Sequence, residues 1–254
     1  MIFLESMKNR KKLTNELGFF FSCFKEDLAI KNCVENIRSH YPEAKIHLSS
    51  DGGSSFFKLE DVNLKFKLYP DILGYVNHPE NKDKEKLTEC CVEFLERLEE
   101  AVLFCKKEYI MYFEPDVFLR GQVTIDEDLH INGSYANQIE NFVLDFIQTK
   151  NPQNVNKNFG SCGGSIIRSD SFLNVKSKTD RKLLRELIEL DPRISNCDYL
   201  LTVLFSIHNY HYKNNFDFIE ARRDPNWVST EHKIVHQYHN NYKKNYNGKY
   251  ANTQ

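Results

Sequence analysis

Glu114, Pro115 and Asp116 close a short apolar run, Tyr109-Ile110-Met111-Tyr112-Phe113, in a chain of 254 residues. Two carboxylates at i and i+2 of an extended chain point to the same side. They can approach one hard divalent cation, Mg²⁺ or Mn²⁺, directly or through water. Such a cation can hold a diphosphate and neutralise the charge that develops as it leaves. Proline cannot donate to a sheet ladder, so regular pairing should end there. The acids would then stand at the carboxyl end of a buried strand, the rim where open α/β sheets bind ligands. The plainer reading is a polar strand end with a turn proline.

Other residues of the chain offer companion chemistry, each beside a plainer alternative. Asp51 follows a short strand and precedes Gly52-Gly53. A carboxylate there can bond a ribose hydroxyl or a base edge, or simply open a D-G turn. Gly160, Gly163 and Gly164 precede the apolar Ile166-Ile167. They admit something bulky close to the backbone, such as an acceptor substrate, or they make a glycine-rich bend. No Gly-Lys-Ser/Thr follows, so this is not a Walker loop. Asp198 falls at the start of a buried helix. It is either a first-turn acid favoured by the macrodipole or a general base, a role the helix N-terminus would weaken by favouring the anion. His236 and His239 lie three apart near the C-terminus. On a strand they face opposite ways, so one at most would meet a metal; a lone histidine also serves as an ordinary surface residue. Lys243 and Lys244 meet phosphates or solvate a tail. Arg97 and Lys106 face a phosphate or, more plainly, form a solvated helix face.

The elements that must position these groups follow from periodicity. Residues 1–17 are polar and read as a loose arm or short helix. Leu17 to Phe24 is a buried strand. Leu28, Ile30, Cys33, Val34, Ile37 and Tyr41 approximate helical spacing, and Pro42 ends the helix. Lys45 to Ser50 is a second strand. Strand, helix, strand is a βαβ unit and requires parallel strands. Asn63 to Tyr69 supplies a third strand. The clearest helix carries Leu87, Cys90, Cys91, Phe94, Leu95, Leu98, Ala101, Val102 and Cys105 on one face, with Glu89, Glu93, Glu96, Arg97 and Glu100 opposite. It delivers the chain into the 109–116 strand. Val117 to Gly121 then leaves the site. Helices follow over 138–148, 180–190 and the Leu200–Ile207 run.

Composition excludes several classes. Charged residues make up 28% and hydrophobic ones 41%, the balance of a folded globular chain rather than a disordered one. The net charge of −2 argues against a dedicated nucleic-acid binder. No run approaches the roughly 18–20 apolar residues of a membrane span. No signal-peptide core precedes Lys8-Asn9-Arg10-Lys11-Lys12, so a cytoplasmic location is expected. Seven cysteines without a C-x-x-C pair suggest neither a zinc site nor a disulfide framework.

The order of parts is a βαβ nucleotide-type half, a long helix, and a strand ending in two acids. A glycine-rich strand, an acid at a helix start and a C-terminal histidine follow. That order resembles the GT-A class of nucleotide-sugar-dependent glycosyltransferases over roughly residues 18–243. Glu114-Pro115-Asp116 looks like a variant of that family's D-x-D metal motif, with Glu in the first place. The resemblance implies one Rossmann-like α/β domain with a mixed, mostly parallel sheet flanked by helices. Residues 1–17 would be an arm, 18–116 the nucleotide half, 117–232 the acceptor half and 233–254 a C-terminal segment. It implies that Ser22, Cys23 and Phe24 line the nucleotide pocket and that Asp51 meets the base or ribose. Glu114, Asp116 and His236 would hold Mn²⁺ or Mg²⁺. Gly163 and Gly164 would floor the sugar pocket, Asp198 would deprotonate the acceptor hydroxyl, and Lys243 would clamp the diphosphate. The substrates implied are a nucleotide-diphosphate sugar and a glycan, protein or small-molecule acceptor. Cys197 stands where inverting members have a second acid, which leaves the stereochemistry open. The rival readings are an inert glycan- or protein-binding module of the same fold, and a sugar nucleotidyltransferase or hydrolase.

Overall fold

The structure is a computed structural model. It describes residues 10–23, 27–50, 63–68, 83–133, 137–154, 156–160, 163–210, 212–214, 217–221 and 232–237. Phe24, Asp51, His239 and Lys243 lie outside these residues.

The described chain begins with a strand: β1 (Arg10–Lys12), within the segment expected to be an arm, pairs antiparallel with residues 124–126, and Leu13 behind it is fully buried. One apolar residue is enough to anchor an otherwise polar segment, and polarity alone hid it. The βαβ unit follows as β2 (Leu17–Cys23), α1 (Asp27–His40) and β3 (Ile46–Ser50). β4 (Leu64–Leu68) comes next, then the long α2 (Lys84–Cys105) and β5 (Tyr109–Phe113). β2, β3, β4 and β5 are mutually parallel neighbours in the order β5-β2-β3-β4.

The apolar strands divide their side chains between two cores, as the twofold repeat of a strand demands. Phe20, Ile110 and Tyr112 pack beneath α2 and the later helices. Phe19, Phe21, Tyr109, Met111 and Phe113 pack beneath α1. At about 1.5–3 kcal/mol for each fully buried large apolar side chain, these two strands alone anchor the sheet.

Beyond the acids come β6 (Val117–Leu119), β7 (Thr124–Asp126), β8 (Ile131–Gly133) and β9 (Asn137–Gln138). The helix expected over 138–148 is α3 (Asn141–Lys150). β10 (Asn158–Phe159) and β11 (Ile166–Arg168) lead into α4 (Ser169–Lys178), a helix with no clear sequence signal. α5 (Arg181–Leu190) is capped by Asp180, and a 3₁₀ turn at Pro192–Ser195 leads into α6 (Cys197–Ile207). β12 (Tyr212–Asn214), β13 (Phe218–Ala221) and β14 (Ile234–Gln237) complete the described chain. β11 joins the main sheet antiparallel between β5 and β8, and β12 extends it to seven strands.

Arg97 departs from the sequence expectation. It lies fully buried in α2 and hydrogen-bonds Glu93 one turn back, rather than standing on a solvated face. The face of α2 away from the sheet is covered by α5, which Arg181 ties to Glu85 and Glu89. Lys106 caps α2 in the left-handed region (φ 51°), with its N–H donating to the Val102 carbonyl at 3.0 Å.

Candidate metal centre

The two acids meet through a turn, not through extended chain. The Val117 N–H donates to the Glu114 carbonyl at 3.0 Å, so residues 114–117 form a β-turn with Pro115 in its second place, where a fixed φ is suited. Both side chains are buried at the end of β5.

The third member arrives from far along the chain. β14 pairs antiparallel with β6, which sets His236 opposite Val117. The His236 Nε2 atom then lies 3.5 Å from Glu114 Oε2 and 3.4 Å from Asp116 Oδ1. One ligand atom from each of the three residues falls within 4.8 Å of the others. Two carboxylates and an imidazole are a fitting donor set for Mn²⁺ or Mg²⁺. Two anions this close repel each other unless a cation joins them, so the set fits the group the sequence implied.

Helix α1 holds the far side of this corner. Asn36 accepts from the Leu119 N–H at 2.7 Å and donates to the Leu119 carbonyl at 2.9 Å. His40 Nε2 reaches the same carbonyl at 3.1 Å. The Cys33 thiol lies 3.5 Å from the Pro115 carbonyl and 3.8 Å from that of Val117. Through β6, α1 fixes both the turn and the strand that carries His236. Sequence reasoning placed Cys33 on the apolar face of α1 and passed over Asn36 and His40; the signal was their spacing of three and four from Cys33, along one edge of that face.

The glycine-rich run closes over Glu114. A Cβ on Gly163 would come within 2.8 Å of the Glu114 Cβ, Cγ and Cδ atoms, so only glycine lets that side chain lie there. Gly164 takes φ 93°, a conformation open to glycine, and its N–H donates to the Tyr112 carbonyl at 2.6 Å. Both glycines expected to floor a pocket thus sit against the metal corner.

Asp198 lies in the first turn of α6, behind Asn196, whose side chain makes no cap bond. Burial, then the negative charge of Glu114, raises its pKa to about 6, against the pull of the Asp198 and Tyr199 amides and of His236. This reverses the expectation that the helix start would favour the anion: lost hydration and a neighbouring carboxylate outweigh two amides. Its Oδ1 is sealed from solvent without a hydrogen-bond partner among the described residues. Next to it, burial holds the Cys197 thiol neutral, 3.7 Å from the Tyr112 hydroxyl.

Ser22 and Cys23 end β2 and lie in register with Ser49 and Ser50 of β3. Phe21 pairs with Phe113, so these four buried residues share the rim on which Glu114 begins. Sequence reasoning did not single out Ser49 and Ser50.

No family model matches the chain, and no curated protein matches it. Among solved structures, it is similar to a crystal structure of the galactosyltransferase LgtC in complex with donor and acceptor sugar analogs. The match has a TM-score of 0.54 at 14% identity and covers 87% of this chain and 86% of that one. The chain therefore has a GT-A-like, Rossmann-type α/β fold, with a mixed, mostly parallel sheet flanked by helices. No described helix is long and apolar enough to cross a membrane.

Proposed function

We propose that the chain is a metal-dependent glycosyltransferase that moves a sugar from a nucleoside-diphosphate sugar to an acceptor hydroxyl. The observation that carries this reading is the meeting of Glu114, Asp116 and His236 at the carboxyl rim of the sheet, from segments distant in sequence. A binding module has no need of such a set. The fold adds support, since its galactosyltransferase neighbour was solved with donor and acceptor sugar analogs.

In this reading Glu114, Asp116 and His236 hold Mn²⁺ or Mg²⁺, which when bound neutralises charge on the leaving diphosphate. Ser22, Cys23, Phe24 and Asp51 receive the nucleotide, and Lys243 meets the diphosphate. Residues 18–116 form the nucleotide half, 117–232 the acceptor half and 233–254 a C-terminal segment. Gly163 and Gly164 leave space beside Glu114 for the sugar. Asp198, with its pKa at about 6, is matched to accept the acceptor's hydroxyl proton near neutral pH.

A thermal-shift panel of UDP, GDP, CDP and ADP, each with Mn²⁺ and with EDTA, tests the reading. A ligand that binds only the folded chain stabilises it by about 2.7 kcal/mol at a hundred times its Kd. One nucleotide raising the melting temperature only with metal is the expected result, followed by sugar transfer from the corresponding donor. No shift with any nucleotide would overturn the proposal in favour of an inert binding module.

A further inference from the structure

The far end of α6 opens on a cavity of about 400 Å³ between α3, α4, α5 and His208. Its charged lining is Lys150 from α3, Lys178 from the end of α4, Asp180, Lys182 and Glu186 around the start of α5, and His208. Three ammonium groups face two carboxylates, which leaves one net positive charge, or two when His208 is protonated.

Both carboxylates are already engaged. Asp180 accepts from the Leu183 N–H at 2.7 Å as the cap of α5. Glu186 lies 3.9 Å from each of Lys150 and Lys182. Lys178 makes no ion pair among the described residues. The His208 Nε2 atom is shut off from solvent and has no hydrogen-bond partner among the described residues. Burial and then the charge of Lys178 lower the His208 pKa.

We propose that this pocket binds the phosphate monoester of a small soluble molecule, with Lys178 gripping the dianion and the charge of a protonated His208 ring behind it. A charge-assisted bond from Lys178, with a second positive charge close behind it, suits such a group. The volume falls in the range of small-molecule sites, about 300–1,000 Å³. Asp198 and His208 are ten residues apart on one helix, about 15 Å at the helical rise. The pocket is therefore separate from the metal corner.

Inorganic phosphate is the probe, titrated into the full chain in EDTA at constant ionic strength. The His208 ring is followed by ¹H–¹³C NMR and assigned by comparison with His208→Gln. The expected result is a saturable movement of the His208 signal and a rise in its apparent pKa, with Lys178→Ala weakening phosphate about tenfold and Lys178→Arg retaining it. Unchanged melting of Lys178→Ala shows that the loss is local, and the charge-keeping Arg variant gives an independent arm. A movement that sodium chloride reproduces at equal ionic strength would overturn the proposal. So would an affinity unchanged in Lys178→Ala.

Discussion

The two ends of α6 carry opposite charge problems. At its N-terminal end Asp198 is buried within the field of Glu114, which outweighs that of His236, and its proton affinity rises. At its C-terminal end His208 stands against Lys178 among further lysines, and its proton affinity falls. Neither end is arranged to stabilise the fold, because like charges brought together out of water cost free energy. Each becomes favourable when an ion of the opposite sign arrives. A cation fits the first and an anion the second. An imbalance of charge that a fold maintains at its own expense is therefore informative about ligands, whereas the paired surface charges of α2 and α5 are not.

The largest effect is expected at the acidic end. Asp116→Ala should lower transfer by more than about a hundredfold and remove the Mn²⁺-dependent rise in melting temperature. Without metal the variant should melt no lower than the parent, since a repulsion has been relieved. Transfer that persists in EDTA would sink the metal assignment and with it one half of the comparison.

Asp198→Asn separates chemistry from capping. As a base, its loss should lower kcat by about 10²–10⁴-fold with little change in donor affinity. The sign of the stability effect follows from linkage. The folded pKa of about 6 exceeds the unfolded value of 3.8, so the ionised carboxyl destabilises the fold as pH rises through that window. The asparagine variant should therefore melt as high as the parent or higher at pH 8. A variant that melts lower with kcat intact would make Asp198 a helix-start residue only.

Asn36→Ala tests whether α1 positions the acidic corner from behind. It strands the Leu119 N–H and carbonyl, a cost of about 1–3 kcal/mol. Through β6 and β14 it should also weaken Mn²⁺ binding about tenfold, read by titration of the metal against the melting temperature. Lost stability with unchanged metal affinity would show that β14 keeps His236 in place without α1.

His47 serves as a control that belongs to neither end. It is fully buried in β3 between Phe20 and Phe104, and its Nε2 lies 3.8 Å from Glu100. Burial, then the charge of Lys65, lowers its pKa to about 4, with Lys67 adding to this and Glu100 opposing it. The unfolded chain takes up a proton near pH 6.5 and the folded one only near 4. Stability should thus be full above about 6.5 and fall as pH drops through about 4, by at most about 3 kcal/mol from this residue. His47→Leu should flatten that part of the melting profile between pH 7 and 4. An unchanged slope would show that His47 does not contribute to the acid sensitivity of the fold.

Much of this arrangement is written in local pattern, and much is not. The strands β2, β3 and β5, the helices α1, α2 and α5, and the acids that follow β5 are legible because each depends on neighbours a few residues away. A run of Leu-Gly-Phe-Phe-Phe-Ser-Cys can bury itself only as a central strand, and a threefold-to-fourfold apolar repeat only as a helix. The pairing of Glu114 with Asp116 was legible too, though the chain turns where extended backbone was expected. α4 escaped because Ser169 to Lys178 carries few apolar positions, and its burial comes from Phe172 and Val175 meeting other helices.

The sequence by itself determined the parallel sheet, its two-faced core and the presence of two acids at its carboxyl rim, since these follow from side-chain period and backbone chemistry. Tertiary structure alone decided that His236 joins those acids, because the register of β14 against β6 is set by contacts more than a hundred residues apart in sequence. It also decided that Arg97 is enclosed, that Asp198 holds its proton tightly, and that lysines from three helices gather around His208. Charge and burial at a point depend on everything that folds around it, and no local window of residues contains that sum.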